Sequence, residues 1–153
     1  MLAARILGPV RRLYWRVVKP RTLGVRAVVL DDHGKVALVR HTYDKFWYLP
    51  GGGVEKGESF EAALRRELAE EIGVVDFRLV RVLGVYHNRR EHKDDHIAVF
   101  VVQVSSGDVT ATDAVEIREA GFFPLEALPA GVSPATKRRL EEVRSETASV
   151  SVW

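Results

Sequence analysis

The sequence predicts one mixed α/β domain, on three observations. Its 153 residues amount to a single domain, long enough to bury a sizeable core. Short β-branched runs stand between stretches with helical spacing of apolar residues. No internal repeat and no long linker divides them, so helices and strands must pack as one unit.

The elements follow in order. "GPVRRLYWRVVKP" reads as a short amphipathic helix, with Pro9 at its first position, Val10, Leu13, Tyr14, Val17 and Val18 on one stripe, and Pro20 ending it. Its stripe is expected to pack on the domain or on a second copy of the chain, which makes a homodimer one arrangement it allows. A membrane-surface helix is the competing reading, since Arg11, Arg12, Arg16 and Lys19 make it basic. "GVRAVVLD" and "KVALVRHT" then form a hairpin through Asp32, His33 and Gly34, and "FWYLP" adds a short extended piece. Residues 59–72 carry helical spacing, and Gly73 is placed to cap that helix.

"FRLVRVLGVYHN" and "HIAVFVVQV" are the next strands, separated by the polar loop "RREHKDD". His87, Asn88 and His96 flank that loop and receive no role. "SSGDVTATD" is a further loop, "EIREAGFF" a strand and "PLEAL" a single turn. "SPATKRRLEEVR" makes the final helix, capped by Ser133 with Pro134 at its first position. The organisation is therefore a basic helix over 1–20, the domain over 21–145 and a polar tail over 146–153 in which no pattern is visible.

Composition narrows the function. The chain has no cysteine, which excludes disulfides and thiolate metal sites and fits a reducing, cytoplasmic compartment. A formal charge of +2 is too small to argue for nucleic acid, although Arg5, Arg11, Arg12, Arg16, Lys19, Arg21 and Arg26 all precede the first acid, Asp31. No apolar run approaches the roughly 18 residues of a membrane span, and the N-terminus lacks the pattern of a signal peptide. With about 20 residues before the first strand, no appended DNA-binding domain is expected.

Residues 58–71 hold five glutamates in fourteen positions, immediately behind the triplet Gly51, Gly52 and Gly53. On a helical wheel Phe60, Leu64, Leu68 and Ile72 mark the face to be buried. Surface decoration would put the glutamates opposite. Instead Glu71 projects between Phe60 and Leu64, and Glu67 lies beside Phe60. Glu67, Glu70 and Glu71 are also spaced i, i+3, i+4, which brings like charges together near an apolar face. A divalent cation compensates that cost, and hard oxygen donors suit Mg²⁺ or Mn²⁺. The glycines let the backbone pass close to a metal or a phosphate, but the stretch is no P-loop, because Lys56 precedes Gly57.

The same stretch resembles the Nudix box, G-x5-E-x7-R-E-U-x-E-E-x-G-U with U aliphatic. Gly52, Glu58, Arg66, Glu67, Leu68, Glu70, Glu71, Gly73 and Val74 fill its nine fixed or restricted positions. The looser resemblance runs from about Gly24 to about Pro129. It implies an α/β/α sandwich with a mixed sheet, and a hydrolase that cleaves a nucleoside diphosphate linked to a further moiety. It implies that Glu67, Glu70, Glu71 and the Gly51 carbonyl hold the metal, and that Glu58 pairs with Arg66. Glu67 is the first choice for the general base, and Glu116, in the strand after the box, the second. Relatives often carry a bulkier residue at the position of Gly121.

Arg40 is the candidate phosphate contact, with Arg26 a weaker one; Trp47 and Tyr48 are candidates for stacking on a base, and Gly52 and Gly53 for backing the phosphates. The box is silent on substrate: nucleoside triphosphates, ADP-ribose and other nucleotide sugars, dinucleoside polyphosphates and capped RNA all fit. A nucleotide-sensing regulator without turnover is the alternative, and the intact set of box carboxylates argues against it.

Overall fold

Strand β1 (Thr22–Leu30) runs through the middle of a mixed sheet in the computed structural model, which describes residues 21–88, 94–105, 107, 109–147 and 149–153. The helix expected within 1–20 and most of the polar loop lie outside the described residues. The remaining elements are β2 (Val36–His41), β3 (Trp47–Tyr48), α1 (Phe60–Ile72), β4 (Arg78–Asn88), β5 (Asp95–Gln103), β6 (Ile117–Phe123), α2 (Pro134–Arg144) and β7 (Ser149–Val152). The sheet order is β3-β2-β1-β5-β4-β7, with β6 also on β2. β1 lies parallel to β5 from Thr22 opposite Asp95 to Leu30 opposite Gln103, and β4 lies parallel to β7. All other strand pairs are antiparallel.

The alternation of strand side chains divides the core into two layers. Val25, Ala27, Val29, Ala37, Val39, Ala98 and Phe100 pack with Ala63, Leu64, Leu68 and Ile72 of α1. Val28, Val36, Leu38, Val99 and Val101 pack on the other face with Leu140 of α2. The result is a sheet between two helices. Each fully buried leucine on α1 contributes about 2 kcal/mol, and Leu68→Ala, which also leaves a cavity, costs roughly 2–5 kcal/mol.

The ends of α1 are specified locally. The Ser59 hydroxyl accepts from the Ala62 amide, and Gly73 takes a left-handed conformation (φ 71°) that lets its amide reach back to the Ala69 carbonyl. Two expectations need correction. Phe60 is the first residue of α1 and is 39% exposed, so the buried apolar stripe is Ala63, Leu64, Leu68 and Ile72. Residues 149–152 of the supposed tail form a strand, held along β4 from Gly84 opposite Ser149 to His87 opposite Val152. Among the described residues, no helix is long and apolar enough to cross a membrane.

Candidate active site

Three backbone hydrogen bonds fasten the glycine loop to β1: Val25 N–H to Gly52 O, Ala27 N–H to Pro50 O and Val54 N–H to Leu23 O, at 2.8–2.9 Å. This contact requires glycine. At Gly51 (φ 130°) a Cβ would stand 2.3 Å from the Val25 carbonyl oxygen, and at Gly52 it would stand 2.6 Å from the Glu67 carboxylate. The loop thereby meets α1. The Gly51 amide donates to Glu71 Oε2 at 2.7 Å.

Arg66 ties the loop to the helix a second time. Its guanidinium donates to both Glu58 oxygens at 3.0 Å, to Glu67 Oε1 at 2.7 Å, to Glu70 Oε2 at 3.3 Å and to the Gly53 carbonyl at 2.9 Å. The pairing holds the Glu58 carboxyl below its ordinary range. The three box glutamates that follow meet different environments. Glu70 is exposed, Glu67 is half-buried and Glu71 is only 4% exposed. Burial raises the carboxyl pKa of Glu67, and raises that of Glu71 to about 7. The nearby Arg26 charge and the Gly51 amide oppose the shift at Glu71, while Glu67 and Glu116 add to it.

The sheet brings two further groups to Glu71. Along β2, Ala37 and Val39 face the α1 layer, and His41 follows them by the two-residue period. Across from it the β2–β6 register shifts between Arg40 and His41, a bulge of the kind that re-aims side chains at sheet edges. Glu116 stands in the turn just before β6, not within the strand, and its carbonyl accepts from the Thr42 amide at 2.8 Å. The ligand-capable atoms of His41, Glu71 and Glu116 consequently lie within 4.8 Å of one another. Among the described residues, neither Glu67 nor Glu70 belongs to a cluster of three drawn that tightly. His41 Nδ1 is buried and has no hydrogen-bond partner, since the nearest Glu116 oxygen is 3.9 Å away. Burial, and then the Arg26 charge, keep the imidazole pKa below its ordinary value.

Other sequence candidates land elsewhere. Arg40 follows Val36 and Leu38 to the α2 face, away from the carboxylates, where it pairs with Glu119 and lies 5.1 Å over the Trp47 ring. Its place as a phosphate contact is therefore not carried by the structure. Trp47 is core, 7% exposed and edge-on to Phe123, and cannot stack on a base. Tyr48 does reach a cavity of about 430 Å³, lined also by Arg26, Gly52, Gly53, Asn88, Asp95, Ile97 and Trp153. Its hydroxyl donates to Asp44 at 2.6 Å. Arg26, the weaker candidate, takes the better position: its Nη1 donates to the Leu49 carbonyl at 2.9 Å, it lines that cavity, and its charge acts on Glu71. Reading on from Ala37 and Val39 by alternation would have found His41.

The donor set fits a divalent cation. A buried carboxylate, a neutral imidazole nitrogen without a partner and a glycine whose missing Cβ leaves space for Glu67 are groups that a hard or borderline cation would satisfy.

A model of the NUDIX domain family matches residues 20–143. The chain belongs to the Nudix hydrolase family. The ADP-ribose pyrophosphatase of Methanocaldococcus jannaschii is 34% identical over 106 residues, covering 66% of this chain and 61% of that protein. A Bacillus subtilis relative is 30% identical over 131 residues, covering 86% of this chain and 85% of its own length. Among solved structures, the MutT Nudix hydrolase of Burkholderia pseudomallei superposes with a TM-score of 0.68 at 27% identity, covering 81% of this chain and 98% of that one. The Nudix sheet and helices are thus shared, and the chain spans less than two thirds of the archaeal relative.

Proposed function

We propose that the protein is a divalent-cation-dependent pyrophosphohydrolase acting on a nucleoside diphosphate linked to a further moiety, with ADP-ribose the first substrate to test. The observation that carries this reading is Glu71: a carboxylate buried to 4% exposure, fixed by the Gly51 amide, inside a box whose other members stand around it. Mg²⁺ or Mn²⁺ would be held by Glu71 with Glu67, the Gly51 carbonyl and Glu116, with Glu70 at the rim. When bound, the cation supplies charge neutralisation at the phosphates and a lower pKa for water.

The chain's own groups do the remainder. Glu67, whose pKa burial raises, would take a proton from the attacking water, with Glu116, which clusters with Glu71, the second choice for that role. Arg66 holds Glu67 and the glycine loop in one geometry, a positioning role. Arg26, which lines the cavity and whose charge also acts on Glu71, would meet the diphosphate, where charge spread over phosphate oxygens is favoured. The cavity beyond, with Tyr48 and Trp153 as apolar walls and Asn88 and Asp95 as polar ones, has the mixed lining that a nucleoside requires. Nucleotide chemistry and the absence of cysteine fit a cytoplasmic setting.

The test is phosphate release, after coupled phosphatase, from ADP-ribose, other nucleotide sugars, nucleoside triphosphates and dinucleoside polyphosphates with Mg²⁺. One substrate well above the Glu71→Gln blank supports the reading. Equal rates for both proteins on every substrate would overturn it.

A further inference from the structure

Resting on the metal site proposed above, we infer that His41 is a direct ligand of its cation, through Nδ1, so that the site mixes nitrogen with oxygen donors. Neutral imidazole carries one donor and one acceptor nitrogen, and a buried one ordinarily finds partners for both. Here Nδ1 has none, although the side chain is only 7% exposed and the atom looks onto Glu116 at 3.9 Å and shares a 4.8 Å cluster with Glu71. That spacing is one which small side-chain rotations close onto a single ion.

The surroundings orient the ring and leave it no other use. Tyr43 stacks on it at 5.1 Å and 17°, and Tyr48 lies tilted at 5.8 Å. Thr42 is bonded to the Val115 and Glu116 carbonyls, and Arg118 donates to the Thr42 carbonyl, so the end of β2 and the Glu116 turn move as one. The aromatic walls hold the imidazole in place, and the backbone ties bring Glu116 to it. A nitrogen donor shifts the preference of an otherwise oxygen site from Mg²⁺ towards Mn²⁺ and its later neighbours.

The experiment is pulsed electron paramagnetic resonance on the metal-stripped full chain loaded with Mn²⁺, without substrate. Nitrogen modulation from a coordinated imidazole is expected in the wild type and in His96→Ala, and is lost in His41→Ala. Mn²⁺ affinity should fall in His41→Ala on the order of tenfold or more, since even an outer-shell partner of a ligand costs that much. Bound Mn²⁺ with no nitrogen modulation in the wild type overturns the inference without touching the carboxylate site. Modulation that survives in His41→Ala and vanishes in His96→Ala also overturns it, because the nitrogen then belongs to the other histidine cluster. Failure of Mn²⁺ to bind overturns the metal site and this inference together.

Discussion

Among the described residues, two clusters place three ligand-capable groups within 4.8 Å: His41 with Glu71 and Glu116, and His87 with Asp94 and His96. By spacing alone they are equals. They differ in what their groups already have. His87 Nε2 is 2.7 Å from Asp94 Oδ1, its ring stacks on His96 at 4.9 Å, and Arg21 stands 3.5 Å from the other Asp94 oxygen. All three are half-buried and solvated, and the pairing holds the Asp94 carboxyl below its ordinary pKa. In the first cluster His41 Nδ1 is buried without a partner, and burial pushes Glu71 up to about 7. Proximity is common among titratable side chains; a buried imidazole nitrogen without a partner next to a buried carboxylate is not, and it is the better mark of a site.

The largest effect expected is loss of turnover. Glu71→Gln keeps an acceptor for the Gly51 amide, so the protein stays folded, but kcat should fall by roughly 10²–10³-fold or more. The matched change Asp94→Asn should leave kcat within about threefold, as expected for a half-exposed pair outside the chemistry. Steady-state kinetics on the two variants compares the clusters directly, and equal losses would erase the distinction. Removing the cation with EDTA should likewise stop turnover, with Mg²⁺ restoring it.

A second effect is on stability against pH. The Glu71 carboxyl binds its proton more tightly folded than unfolded, its pKa rising from 4.5 to about 7. The stability from that proton is fully present below about pH 4.5 and is lost as pH rises through about 7. For the metal-free protein the loss is on the order of 3 kcal/mol. Denaturant titrations should therefore show Glu71→Gln more stable than wild type at pH 8 and little different at pH 4, with Mg²⁺ closing the gap at pH 8. A constant difference across pH would contradict the burial argument.

Much of the first cluster's setting was legible in the sequence. The α1 boundaries follow from local signals, Ser59 and Gly73, and the glycine-glutamate spacing pointed to the loop that Arg66 and Glu71 bind. What stayed hidden depends on long-range register. His41 meets Glu116 only because β2 pairs with β6, some 75 residues on, with a register shift next to its own position. Arg40, one residue earlier, looks the better phosphate ligand in sequence and loses that place through the same alternation. β7 was invisible because four residues of alternation mean little until β4 offers a parallel edge. Phe60 reads as core on a wheel, but at the first position of α1 it stays 39% exposed.

Smaller effects sharpen these points. Arg66→Met removes hydrogen bonds to Glu58, Glu67 and Gly53 and should cost about 2 kcal/mol in chemical denaturation, with a lower kcat as Glu67 loses its orientation. Arg40→Ala should change KM by less than about twofold and stability by about 1 kcal/mol or less, since its ion-pair partner Glu119 is 45% exposed. A large rise in KM would return Arg40 to the phosphate site.

Diffraction from crystals of the full chain soaked in Mn²⁺, with data collected for its anomalous signal, tests the central claim most directly. The account predicts a peak in coordination contact with the Glu71 carboxylate, beside His41 and Glu116, and none among His87, Asp94 and His96. A peak at the second cluster with none at Glu71 would contradict it.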